Sequence, residues 1–186
     1  MIKRPRGVLY IITCATPAAH EIGKLVSLAQ ESNWAPCVIA TPSALSFIDQ
    51  AAIEQQTGYP VRSQYKKPGT PDILPPADAM IVGGASFNTI NKWAAGISDT
   101  LALGLLTEAI GLGIPLVALP FVNSAHAAHP AFDRSVETLR AAGVNVLLGP
   151  EGYKPHPPHE GSKKLASYPW QAAIAALPPD APDAAG

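Results

Sequence analysis

The chain has 186 residues, 47% of them hydrophobic and 15% charged, which suits one domain with a proper core and would cramp two. Its formal net charge of -1 excludes the broad basic field on which nucleic-acid and acidic-surface binding depend. Cys14 and Cys37 are the two cysteines and fall inside strand-like runs. They predict buried thiols in a reducing compartment, not a disulfide framework.

The opening "MIKRPRGVLYIITCATPAA" imitates a secretory signal, with a basic start, an apolar run and small residues. The apolar run is short and β-branched, however, and Ile22, Leu25, Val26 and Ala29 follow it at amphipathic-helix spacing. The segment therefore reads as a first strand entering a first helix, and the chain as cytoplasmic. No apolar stretch approaches the roughly 20 residues that span a bilayer.

The first strand is predicted over 7–14 and the first helix over 17–30, with Thr16 as N-cap and Pro17 at the first helical position. "APCVIA" (35–40) is a second strand, and Ser43 opens a helix whose inner face is Ala44, Phe47, Ile48 and Ala51. Residues 57–77 read as loop with a short strand near Val61. "DAMIVGG" (78–84) is the next strand, with Ile90, Trp93, Ala94 and Ile97 as the core face of its helix.

Asp99 starts a helix to about residue 110, capping it, and "IPLVALP" (114–120) is a strand. A helix over 129–143 opens with Pro130 and closes with Gly143, and "VNVLLG" (144–149) is the last strand. Residues 150–168 suit a flap, 170–177 a short helix and 178–186 a disordered tail, so the domain spans 1–177. Strands joined by helix-length connections imply a single Rossmann-like α/β domain, its doubly wound parallel sheet covered by helices on both faces.

In such a sheet ligands sit outside the carboxyl ends of the strands. Those ends carry "TCATPAA" (13–19), "TPSA" (41–44), "GGASFNT" (83–89) and "PFVNS" (120–124). Helix starts at the first two favour a phosphate. A dinucleotide is excluded on two counts: the G-x-G-x-x-G fingerprint is absent, and Thr41 and Ser43 stand where an acid would hold a ribose. A monophosphate cofactor fits better, although Ser and Thr at helix starts also serve as plain caps.

"GGASFNTINKWAAGISDTL" (83–101) resembles the PASANT segment and following helix of the homo-oligomeric flavin-containing cysteine decarboxylases. That group includes phosphopantothenoylcysteine decarboxylases and the peptidyl-cysteine decarboxylases of lantibiotic biosynthesis. "PFVNSAHAAHPAF" (120–132) resembles their P-x-M-N-x-x-M-W segment, and "TPSALSFI" (41–48) their second-strand turn. The resemblance implies FMN, or FAD in some members, bound between subunits of a homotrimer that can assemble into a homododecamer.

By position it implies phosphate contacts at Thr16 and Ser43, beside which the Thr41 hydroxyl suits a further phosphate contact, and flavin or substrate contacts at Ala85, Ser86 and Asn88. Asn123 would hold the substrate carboxylate, and 150–168 would close over it. The implied reaction is oxidative decarboxylation of a substrate ending in cysteine, either a peptide or a small molecule. The chain departs from the pattern at Gly84, Val122, His126 and Ala127, and Thr70 stands where the family has its active-site histidine. A missing general base typically costs about 10²–10⁴ in rate, while a thiol near pKa 8.5 still supplies roughly a few per cent thiolate at neutral pH.

Other readings stay open at this point. Asn88 can cap the helix through Trp93, and Asn123 can be a turn residue. His126 is either a substitute base or a solvent-facing side chain. His126/His129 and His156/His159 are H-x-x-H pairs, but Pro130 and Pro157-Pro158 break the helical geometry a metal would need, so no metal site is expected. Lys66 and Lys67 either attract a carboxylate or form a solvated pair. A flavin-binding partner subunit without decarboxylase activity, and a flavin prenyltransferase, are the competing functions.

Overall fold

Val8–Thr13, a run of aliphatic and β-branched residues around Tyr10, forms β1, and Ala35–Ala40 pairs with it as β2. The computed structural model describes residues 5–150 and 152–179. The basic start (1–4), Glu151 and residues 180–186 of the expected tail lie outside them.

Between these strands the chain passes through a 3-10 turn, Pro17–Glu21, into α1, Ile22–Glu31. The helical region is where the sequence puts it, but its first turn is 3-10, and Thr16 makes no side-chain cap. The Thr16 hydroxyl instead donates to the Gly84 carbonyl at 3.2 Å.

After β2 a second 3-10 turn, Pro42–Phe47, ends at Ile48 in extended backbone. α2, Gln50–Thr57, then begins under Asp49, whose carboxylate accepts from the Ala52 N–H at 3.0 Å. The expected helix from Ser43 is thus split, and Ala51 is exposed while Ile53 is buried. The expected strand near Val61 is a single bridge between Ile39 and Arg62.

β3 is Ala79–Ala85, and α3, Phe87–Ala94, follows it directly. α3 ends before Ile97, which is 42% exposed, so Ile97 is not core. α4, Leu101–Leu112, is capped by the Thr100 hydroxyl, accepting from Leu103 N–H at 3.2 Å, and not by Asp99. Asp99 pairs with Lys92 instead.

β4 is Leu116–Pro120, α5 is Ser124–Ala127, and α6 is Pro130–Ala141 with Pro130 at its start. The last strand shrinks to β5, Asn145–Val146. A 3-10 segment, Gly161–Ser167, precedes α7, Trp170–Ala175.

The five strands are parallel in the order β2-β1-β3-β4-β5, a Rossmann-like α/β sheet with helices around it. A Cβ at Gly83 would come within 3.0 Å of Ile22 and Leu25 and 3.1 Å of Trp170, which places α1 and α7 on one face. On the other, the Trp93 indole of α3 donates to Leu106 O of α4 at 3.2 Å. Both cysteines are buried and free, and burial pushes the Cys37 thiol up to about 12. Among the described residues no helix is long and apolar enough to cross a membrane.

The strand order reverses between β1 and β3, because β2 lies outside β1 while the chain continues inward to β3 and β4. Loops leaving such a reversal diverge and open a crevice at the carboxyl ends.

Candidate functional site

That crevice is a cavity of about 860 Å³, within the range of roughly 300–1,000 Å³ common for small-molecule and cofactor sites. Four strand ends line it: Ala15–Pro17 after β1, Thr41–Ser43 after β2, Ser86–Thr89 after β3 and Phe121–Asn123 after β4. His156, His159, Gly161 and Ser162 close it from the segment before α7. Among the described lining residues there is no Asp or Glu, while three histidines and Lys92 are present. The described lining thus sets no carboxylate against a bound anion.

Of the sequence-predicted site residues, Thr16, Thr41, Ser43, Ser86, Asn88, Asn123 and His126 all line this cavity. Ala85 does not: it is fully buried at the end of β3, where its carbonyl accepts from Phe121 N–H at 2.9 Å. Thr16 is nearly buried with its hydroxyl turned to Gly84, whereas the Thr41 and Ser43 hydroxyls have no partner among the described residues.

Ser86, not Asn88, caps α3. Its hydroxyl accepts from Thr89 N–H at 3.1 Å and donates to Thr89 Oγ1 at 3.0 Å. The Cys14 thiol donates to the same Thr89 oxygen at 3.3 Å, and burial raises its pKa, keeping it a thiol. This chain of three small polar groups stitches β1 to the turn after β3. Asn88, one residue into the helix, is exposed and has no hydrogen-bond partner among the described residues. Its amide is left for the cavity.

Asn123 caps α5, with Oδ1 accepting from His126 N–H at 2.9 Å. Occupying the carbonyl end this way turns the two amide donors outward. His126 stacks on Phe87 with centroids 4.9 Å apart.

Gly84 has φ +70, and a Cβ there would lie 2.7 Å from Thr16 Oγ1. The β3–β4 register shifts between Gly83 and Ala85, so the ladder cannot satisfy both strands there. The Tyr168 hydroxyl fills the gap, donating to the Leu119 carbonyl at 2.8 Å and lying 3.0 Å from that of Pro120. Its burial raises its pKa well above the phenol value.

Sequence reasoning weighed His156 only as half of an H-x-x-H pair and passed over Tyr153 and Tyr168. All three belong to 150–168, which reads only as polar and Pro-rich, so no periodicity marks them. Thr70 lies elsewhere, beside a hollow of about 290 Å³ with Arg62, Lys66 and Lys67, its hydroxyl on Lys67 O at 2.6 Å. Lys66 pairs with Asp72 at 2.7 Å in a solvent-exposed contact. Among the described residues no three His, Cys, Asp or Glu side chains come together as a metal site.

The family model described as Flavoprotein matches residues 2–169. The chain is 31% identical over 134 residues to the coenzyme A biosynthesis bifunctional protein CoaBC of Mycobacterium tuberculosis (strain ATCC 25618 / H37Rv), covering 70% of this chain and 31% of that protein. It is 29% identical over 125 residues to a probable phosphopantothenoylcysteine decarboxylase of Arabidopsis thaliana, covering 62% of each. The chain thus spans less than two thirds of either relative. Among solved structures, the FMN-dependent cysteine decarboxylase TvaF from thioviridamide biosynthesis superposes with a TM-score of 0.67 at 23% identity, covering 75% of this chain and 88% of that one. This likeness concerns the fold.

Proposed function

The chain belongs to the Flavoprotein family, and from that premise we propose that it binds FMN in the strand-end cavity and oxidatively decarboxylates a cysteine-containing substrate. The substrate class is a peptide with a C-terminal cysteine or a phosphopantothenoylcysteine-like small molecule. The observation that carries the reading is the convergence of Asn88 and Asn123, one amide unpartnered and the other with its donors turned outward, on a cavity whose described lining has no carboxylate.

The residues present fit a flavin mononucleotide. Thr41 and Ser43 offer free hydroxyls beside the start of a 3-10 turn, where a phosphate is favoured. Thr16 contributes its place at the first turn, and Ser86 holds the wall on which Asn88 stands. Ala85 supports this wall from below. A bound flavin supplies an acceptor for the hydride that leaves the substrate.

Asn123 donates to the substrate carboxylate, and Phe121 and Phe87 give the cavity apolar walls that exclude water. His126, stacked on Phe87, is the candidate proton acceptor for the thiol. Residues 150–168 act as the substrate flap. The same reading makes the protein a homo-oligomer, a homotrimer or homododecamer.

One observation favours a second reading, a flavin-binding partner subunit without decarboxylase activity. Thr70, standing where the resemblance expects a histidine, lies beside a different hollow of the same chain.

Purified protein separates the two. A yellow preparation that bleaches anaerobically with a cysteine-ended peptide, releasing CO2 and leaving a product lighter by CO2 and two hydrogens, supports the enzyme. A yellow preparation inert toward such peptides and phosphopantothenoylcysteine supports the partner subunit. Protein that stays colourless in FMN or FAD sinks both.

A further inference from the structure

The segment before α7 places a buried histidine at the cavity wall. His156 is 6% exposed and lines the cavity, its ring 5.1 Å from that of Phe121. Its backbone is pinned to the end of β4: Asn123 and His156 form a parallel bridge, with Ser124 N–H donating to His156 O at 2.7 Å. The bridge sets His156 beside the amide assigned to the substrate carboxylate.

Tyr153 is fixed just as firmly. Its N–H donates to Leu147 O at 3.0 Å, and its carbonyl accepts from Gly149 N–H at 3.1 Å. Its buried hydroxyl bonds His156 Nδ1, the one acceptor for its proton among the described residues, and the His156 backbone donates toward the same oxygen. A buried hydroxyl that donated to nothing would bear a desolvation cost, so the phenol keeps its proton and donates it in a hydrogen bond to Nδ1. The neutral ring must then carry its own proton on Nε2.

Burial favours that neutral form, with Lys164 acting in the same direction and Glu160 against it. Burial likewise keeps the Tyr153 phenol protonated. Gly161 clears the approach to Nε2. A Cβ there would lie 3.0 Å from Nε2 and 3.2 Å from Phe121, although its φ is not in the left-handed region that by itself favours glycine.

We propose that Tyr153 fixes His156 as an Nε2–H donor which, together with Asn123, grips the carboxylate of the substrate. Tyr153 is a positioning residue and His156 the group that touches the ligand. The inference rests on the cysteine-substrate reading above and adds the residue that reads its carboxylate.

The test uses the full chain, as purified, with ¹⁵N-labelled histidine. The probes are N-acetylcysteine and N-acetylcysteamine, which differ by the carboxylate. The expected spectrum has His156 protonated on Nε2 and not on Nδ1, with Tyr153→Phe moving the ring toward a mixture of tautomers. N-acetylcysteine shifts the Nε2 signal and N-acetylcysteamine does not.

His156→Ala weakens N-acetylcysteine binding by about tenfold or more, the usual scale for a lost hydrogen bond to a charged group. His156→Gln, which keeps a donor, recovers most of the affinity. An Nδ1–H ring, an Nε2 signal that ignores N-acetylcysteine or answers both probes equally, or unchanged affinity in His156→Ala overturns the proposal. A colourless preparation counts against the flavin reading alone, because the tautomer and the probe-induced shift are read without flavin.

Discussion

The Tyr168 hydroxyl accepts from the Gly84 N–H at 3.2 Å across 84 residues of chain. It closes the gap left where the β3–β4 ladder slips, and it also donates to the Leu119 carbonyl. One phenol thus satisfies backbone groups of two adjacent strands and anchors the segment that carries Tyr153 and His156 to the sheet. The floor of the cavity and its closing wall are fastened at the same point.

Tyr168→Phe removes that fastening while keeping the ring. Buried groups that lose their partner cost about 1–3 kcal/mol each, so a loss of at least that size is expected in urea-unfolding free energy. A change below about 0.5 kcal/mol, the range of a neutral surface substitution, would mean that water satisfies the slip instead.

Gly84→Ala meets two obstacles at once, the positive φ and the 2.7 Å approach to Thr16 Oγ1. Each obstacle acts without the other, and the backbone strain alone costs about 1–3 kcal/mol. Thr16→Ala in the same chain relieves the contact but not the φ, so a double variant should regain part of the loss. Full recovery would show that the backbone there is unstrained.

Ser86→Ala and Asn88→Ala should separate structure from binding. The first removes the cap of α3 and is expected to cost about 1 kcal/mol of stability. The second removes an amide with no partner among the described residues and should leave stability within about 0.5 kcal/mol. Only the second should weaken flavin retention with stability intact, read by absorbance after gel filtration. Equal flavin content in Asn88→Ala and the parent would remove Asn88 from the proposed site.

Acid should weaken the fold through His156. Its folded pKa lies below the ordinary imidazole value because burial, and Lys164 after it, penalise the cation. The unfolded chain therefore takes up the proton first, and stability present above the ordinary imidazole range is lost as pH falls through it. Urea midpoints at about pH 7.5 and about pH 5.5 should differ more for the parent than for His156→Gln. Parallel profiles would place the acid sensitivity elsewhere.

The local pattern of this chain settled much by itself. Aliphatic runs long enough for strands, separated by helix-length amphipathic segments, determined a parallel α/β sheet. The small and amide-bearing residues at four strand ends marked the cavity, because the loops leaving those ends line the crevice. Competition between neighbouring caps was not legible. Ser86 and Asn88, or Asp99 and Thr100, are both chemically able to open a helix, and the choice fell to whichever residue the preceding strand or loop left in extended backbone.

Only the tertiary structure decided the closing wall. His156, Tyr153 and Tyr168 sit in a stretch with no apolar period; the Tyr168 hydroxyl reaches β3 and β4, while the backbone partners of His156 and Tyr153 lie just past β4 and just past β5. The contacts of Tyr168 and His156 join residues far apart in sequence and leave no local trace. They depend on a slipped ladder and a fixed bridge, which exist only once the sheet has formed.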